Sequence, residues 1–129
     1  MSFQSDIKAW TEKTQQAADR IFRGTALDIF GKVMHRTPVK TGRARGNWQT
    51  SVGNYPTDDI SRIGGSRALA EAGRATKTWN IEQPIYFVNN LPYIQKLEYG
   101  SSKQAPRGMV RVTVADFDRI IQANAYKNR

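Results

Sequence analysis

The 129-residue chain contains no cysteine, which excludes disulfides and thiolate metal sites. Its single histidine, His35, excludes a histidine-rich metal centre and a Cys–His catalytic pair. No apolar run approaches the ~20 residues that a membrane helix needs, so no membrane association is expected. The first six residues, MSFQSD, lack the basic and apolar regions of a secretory signal, and synthesis in the cytoplasm is expected. No G-x-S-x-G nucleophile turn occurs. The glycines of the stretch from Gly24 to Lys32 are too widely spaced for a phosphate-binding G-x-x-x-x-G-K-[ST] loop, and the residues between them are apolar and helical in pattern. Asp58 and Asp59 are two carboxylates without further ligands, and read as a solvated loop rather than a cation site. Glu82, Glu98, Asp116 and Asp118 show no spacing that sets an acid against a base. Neither catalysis, nor a cofactor, nor a metal is expected from these residues.

What the chain has is positive charge. Twenty basic residues against 11 acidic ones give a net charge of +9, a balance that suits nucleic acid, an anionic surface or an acidic protein partner. The excess is local. The first 36 residues are nearly balanced, with six basic and four acidic groups. Residues 36–45 carry Arg36, Lys40, Arg43 and Arg45 with no acid, and residues 103–111 carry Lys103, Arg107 and Arg111 with no acid. These seven cations are the candidate contacts to a partner or to DNA. The turn from Gly42 to Gly46 sets two guanidinium forks where they can hold phosphate or carboxylate, although a solvated turn reads equally well.

The length suits one domain spanning residues 1–129. Phe3, Ile7, Trp10, Thr14, Ala18, Phe22, Ala26, Ile29 and Val33 recur at steps of three and four, which predicts a helix over residues 3–36. Gly24 and Gly31 each weaken it by ~1 kcal/mol relative to Ala, and a break near Gly24 is the alternative. Thr37-Pro38 ends it, because the residue before proline avoids the α region. About 30 helical residues would be about 45 Å long, more than so small a domain covers, so part of the stripe is expected to meet another subunit. His35 reads as a polar residue near the helix C-terminus, where its positive form is mildly favoured, rather than as a ligand.

Pro38 and Gly42 then mark a turn, and Trp48, Thr50 and Val52 alternate as a strand does. Residues 53–77 are expected to form a mobile loop region, within which residues 66–75 form at most a short alanine-rich helix that packs weakly, capped by Ser66. Residues 78–89 are the best strand region, interrupted at Pro84, a bulge or edge position. Pro92 starts a short helix with Tyr93, Ile94 and Leu97 on its apolar face and Gly100 at its end. The last segment fits a strand through Val110, Val112 and Val114, or a helix through Val110, Val114, Phe117 and Ile121. The helix, over residues 109–125, is preferred, with a frayed tail over 125–129. Trp10, Trp48 and Trp79 read as core residues rather than ligand platforms. The fold class is therefore α+β: a long N-terminal helix on a small antiparallel sheet, with a short helix and a C-terminal helix.

Two motifs go beyond pattern. One is Thr37-Pro38-Val39-Lys40-Thr41-Gly42-Arg43-Ala44-Arg45, followed by Trp48. The other runs from Asn89 and Asn90 through Pro92, Tyr93, Leu97, Glu98, Tyr99 and Gly100 to Ala105-Pro106-Arg107-Gly108. Together, in this order, they resemble the minor tail-component, or tail-completion, family of long-tailed bacteriophages, whose members join the tail end to the head. That family reads as a long helix, then P-V-D-T-G-x-L-R-x-S-W, a strand ending in Asn, P-Y-A-x-x-L-E-x-G, a proline-containing loop and a C-terminal helix. Lys40 stands where the family has an acid, Ala44 where it has Leu, and residues 53–77 match no motif. Pro38, Thr41, Gly42, Trp48, Asn90, Pro92, Tyr93, Leu97, Glu98, Tyr99, Gly100 and Pro106 are then framework positions. Glu98, the one acid in a basic stretch, is expected to pair with Arg43 or Arg107.

The resemblance implies a structural virion protein of the phage neck, assembled in the host cytoplasm. It implies a ring of identical copies, six in the family, linking the tail tube to the head connector. Its partners would be itself, neighbouring tail or connector proteins, and DNA passing transiently through the lumen. The alternative reading from charge alone is a basic nucleic-acid-binding module.

Overall fold

The computed structural model describes residues 2–128. It is an α+β fold in which helices surround a two-stranded antiparallel sheet. No helix among the described residues is long and apolar enough to cross a membrane.

Helix α1 (Phe3–Arg36) runs unbroken for 34 residues, about 51 Å at ~1.5 Å per residue. It starts at Ser2, whose hydroxyl accepts from the Ser5 amide at 3.1 Å, satisfying one of the amides that a helix start leaves unpaired. It does not break at Gly24. A Cβ there would stand 2.2 Å from Asn124 Oδ1, so the missing side chain is the seat for the C-terminal helix. Asn124 is buried and donates to Asp28 Oδ2 at 2.9 Å. The glycine weakens the helix locally and permits a close helix–helix approach in return.

The end of α1 is tied to several elements at once. Thr37 is fully buried and extended, with its amide on the Met34 carbonyl at 3.1 Å. Its hydroxyl donates to the Val33 carbonyl at 2.7 Å and accepts from Trp48 Nε1 at 2.8 Å. Its carbonyl accepts from Arg45 Nε at 2.9 Å. Gly42, with φ +84°, takes the left-handed conformation that a side chain would strain. It leads into α2 (Arg43–Gly46), one turn that delivers the chain to β1 (Trp48–Val52).

Strand β1 pairs antiparallel with β2 (Ile85–Asn89), Trp48 opposite Asn89 and Val52 opposite Ile85. Pro84 directly precedes β2, and its carbonyl accepts the Gly53 amide at 2.9 Å. Phe87 stacks between Trp48 and Phe30, with ring centroids 4.7 and 4.4 Å apart and nearly parallel planes. The core of Val33, Met34, Trp48, Ala68, Ala105 and Met109 gathers around this stack, with Ile94 and Leu97 packed against it.

Between the strands the structure departs from expectation. Helix α3 (Gly65–Thr78) is longer than residues 66–75, starts at Gly64 rather than at a Ser66 cap, and packs firmly against α1 and β1. Ala68, Ala72 and Thr76 recur every four residues and are buried, the two alanines at 1 % exposure. Small side chains on that face let the helix come close. The expected weak packing equated small residues with small burial, which fails when the approach is tight. Residues 53–64 are irregular but anchored. Arg62 donates to the carbonyls of Gly46 at 2.7 Å and Trp48 at 2.6 Å and pairs with Glu71, which in turn accepts the Thr50 amide at 2.8 Å. The strand expected from residue 78 begins only at Ile85. Trp79 caps α3, and the chain turns through residues 81–83.

Helix α4 (Ile94–Glu98) ends near Gly100, which has φ +90°. The final helix is two helices, α5 (Val110–Ala115) and α6 (Phe117–Lys127), parted at Asp116. Asp116 accepts from Arg36 Nη2 at 3.2 Å, so the break turns its carboxylate to the end of α1. The tail expected over residues 125–129 is helical to Lys127, and Arg129 lies outside the described residues. Of the tryptophans, Trp48 is core at 5 % exposure and Trp79 is half-buried, but Trp10 is 68 % exposed, contrary to its reading as core.

Thr37→Val keeps the shape and removes both hydroxyl bonds, leaving the buried Trp48 Nε1 without an acceptor. The expected loss is about 1–3 kcal/mol, read as a lower midpoint in urea unfolding. An unchanged midpoint would show that the Thr37–Trp48 link is not a stabilising one.

Candidate functional site: a basic cleft between the two motif loops

The two motifs meet in space. The Gln104 side chain accepts the Val39 amide at 2.9 Å and donates to the Val39 carbonyl at 3.1 Å, completing both backbone bonds of an otherwise unpaired residue. Between the loops lies an open cleft of about 770 Å³. One wall is residues 38–44, the other residues 101–104, and Tyr93 and Leu97 line it between them. Val39 and Tyr93 are 40 % and 37 % exposed, so the cleft carries apolar surface. Lys40, Arg43 and Lys103 line it as well.

The motif residues around the cleft have mechanical tasks. Buried Pro38 follows the end of α1, and Thr41 Oγ1 accepts the Arg43 amide at 3.3 Å. Asn89 donates to the Ala44 carbonyl at 2.8 Å and accepts the Leu91 amide at 3.2 Å. Asn90 donates to the carbonyls of Pro56 and Asp58. Pro92 lies exposed in the turn before α4, and Pro106 in the turn before α5.

Glu98 is the most engaged carboxylate. It pairs with Arg111, not with Arg43 or Arg107. Its oxygens accept the amides of Met109, Val110 and Arg111 at 2.8–2.9 Å. These belong to the start of α5, which has no side-chain cap of its own, so α4 caps α5 across the loop with the negative charge that a helix N-terminus favours. Burial pushes the Glu98 carboxyl up. The three amides, led by that of Arg111, and the Arg111 side chain outweigh burial and hold it below its ordinary value. Arg111 also lies over the ring of Tyr99, 4.9 Å from its centroid.

The seven candidate cations divide. Arg36 donates to Thr113 Oγ1 at 2.8 Å and to Asp116. Arg45 donates to the carbonyls of Thr37 and His35, tying off the C-terminal end of α1. Arg111 is held by Glu98. These three are fastenings, and the sequence pattern that grouped them with the others could not tell a cation facing solvent from one bonded to a carbonyl. Arg43 is 49 % exposed while paired with Asp59 at 2.9 Å. Lys40, Lys103 and Arg107 are exposed and make no ion pair within the described residues. Gln104, which joins the loops, carried no signal in the sequence beyond being polar. Arg62 and Glu71, which pin the strand beside the cleft, lay in the stretch expected to be mobile.

An open cleft with apolar walls and free ammonium groups at its rim suits an extended acidic segment of another protein. Among the described residues no group of three or more His, Asp or Glu side chains could hold a metal ion. Comparison with family models, curated proteins and solved structures finds no match.

Glu98→Gln removes the charge and sets an amide donor against amide donors. We expect it to lower stability at neutral pH by about 1–3 kcal/mol. Because the folded-state pKa is depressed, Glu98 contributes fully above the unfolded carboxyl value of about 4.3. The contribution fades as pH falls through the lower folded value. The difference in melting temperature between wild type and variant should therefore shrink below that pH, and a difference independent of pH would rule out the capping role.

Proposed function

We propose that the chain is a structural virion protein of the head–tail joint of a long-tailed phage, one copy of a ring that links the tail tube to the head connector and lets DNA pass. The observation that carries this reading is the meeting of the two motif loops. Val39 and Gln104 stand 65 positions apart in sequence yet share a pair of hydrogen bonds. Tyr93 and Leu97 of the second motif also line the same cleft as residues 38–44 of the first, so the segments that resemble the tail-component family are parts of one surface, along which Lys40, Arg43 and Lys103 carry charge. A surface held by backbone bonds and caps, with exposed cations at its rim, is the construction of a docking face rather than of a reaction centre.

A ring of identical copies uses heterologous interfaces that close, and the resemblance implies six copies. In such a ring the cleft would receive an acidic segment of a neighbouring protein. The nucleic-acid alternative rests on Lys40, Lys103 and Arg107, exposed cations that could face phosphates in a lumen. The two readings differ in solution. Direct DNA binding by the isolated chain falls steeply as salt rises, whereas the docking reading predicts no measurable binding to duplex DNA.

The test is the triple variant Lys40→Ala, Lys103→Ala, Arg107→Ala. Each position is exposed, so the change in stability should stay within about 0.5 kcal/mol per site. Phage carrying the variant should accumulate free tails and tail-less heads in electron micrographs. Normal yields of joined particles would overturn the proposal. Arg45→Ala is the contrasting control: it should lower stability by about 1–3 kcal/mol, because two carbonyls at the end of α1 lose their donor.

A further inference from the structure

The N-terminal part of α1 projects from the body of its own chain with its side chains open to solvent. Residues 3–16 are all exposed, a length of about 21 Å, and they include large apolar side chains. Phe3 is 78 % exposed, Ile7 48 % and Trp10 68 %. An apolar stripe of this kind marks a contact surface. We propose that its occupant is the same stretch of a second copy, packed antiparallel in a two-fold pair.

The first argument is spacing. Phe3, Ile7, Trp10 and Thr14 follow one another at four, three and four residues, the alternation of a coiled-coil seam. Thr14 fits an apolar seam because its hydroxyl is already bonded to the Trp10 carbonyl at 2.9 Å. In an antiparallel pair the layers are mixed: Phe3 lies against the second copy's Thr14, and Ile7 against its Trp10. Each layer sets a larger side chain beside a smaller one.

The second argument is charge. One flank of the stripe carries Asp6 and Lys13, seven residues apart and opposite in sign. Neither makes an ion pair within the described residues. The other flank carries Gln4 and Thr11, which are uncharged. Antiparallel packing sets like flanks together, so each Asp6 meets the second copy's Lys13, twice in the pair. Parallel packing sets unlike flanks together and leaves these charges without partners. The pattern is self-complementary only in the antiparallel sense, as a two-fold contact requires.

The third argument is shape. Where the stripe reaches the body, Trp10, Thr14, Ala18 and Phe22 form a groove of about 340 Å³ with Ile81 of the turn before β2. Phe3 of the second copy, lying against Thr14, is placed to enter it. The pairing does not rest on the head–tail reading, since it involves neither motif loop.

The test is sedimentation velocity of the full chain over a dilution series in the micromolar range. The wild type should show a concentration-dependent dimer, and Trp10→Glu should abolish it with the melting temperature unchanged at dilutions where the wild type is monomeric, because Trp10 is remote from the core. Asp6→Lys or Lys13→Asp alone should weaken dimerisation roughly tenfold, each turning two attractions into repulsions. The double variant Asp6→Lys, Lys13→Asp should return to within about threefold of wild type. A monomer at every concentration, a larger closed oligomer in place of the dimer, or failure of the double variant to recover would each overturn the pairing. None of these outcomes touches the cleft, whose own test is the yield of joined particles.

Discussion

The Thr37 hydroxyl, buried between α1 and β1, is the bond on which the rest of the fold turns. It accepts from Trp48 Nε1 and donates to the Val33 carbonyl, so one side chain joins the end of the long helix to the start of the sheet. Polar groups sealed from water must be paired, and here three pair with one another through a single oxygen. The consequences spread outward. Trp48 held at this angle stacks on Phe87, and Phe87 on Phe30, which sets β2 over α1. The direction in which the chain leaves Thr37 also places residues 38–44 as a wall of the cleft.

Around that anchor the protein is assembled by absent side chains as much as by large ones. Gly24 makes room for Asn124, and Ala68 and Ala72 let α3 lie close to α1. A chain with modest apolar content can still close a core if its helices approach tightly. Backbone groups freed by the short elements are recovered across elements rather than within them. Glu98 of α4 serves the start of α5, and Arg45 of α2 serves the end of α1.

The sequence was most legible where a pattern had one physical cause. The three-and-four spacing marked α1 to within its true ends, Thr37-Pro38 marked its stop, and the alternation at Trp48–Val52 marked β1. Gly24 weakened the expectation of an unbroken α1 without overturning it, because intrinsic propensity counts a glycine only as a cost, while its benefit lies in a residue 100 positions further along the chain. Residues 53–64 read as loose because their composition is polar, yet Arg62 fixes them through carbonyls that no local pattern could name. Trp79 and Ile81 alternate as a strand would, but β2 starts only after Pro84, and Trp79 instead caps α3. For the cleft, the sequence supplied both walls and all three cations that line it. It did not show Gln104 as their link, nor which of the cations were already bonded.

The basic residues divide by kind. Among the described residues every ion pair is made by an arginine, and arginines also reach the carbonyls of His35, Thr37, Gly46, Trp48, Trp79 and Glu98. Among the described residues no lysine side chain takes part in such a bond. The planar guanidinium fork suits paired acceptors, and the ammonium group suits water. Exchange of arginine for lysine at the fastened positions would therefore conserve charge and cost architecture, while loss of a lysine would change the surface field and leave the architecture alone. Change at the exposed lysines can then alter the surface charge while the bonded arginines hold the fold, which lets a small chain vary its face without relearning how to fold.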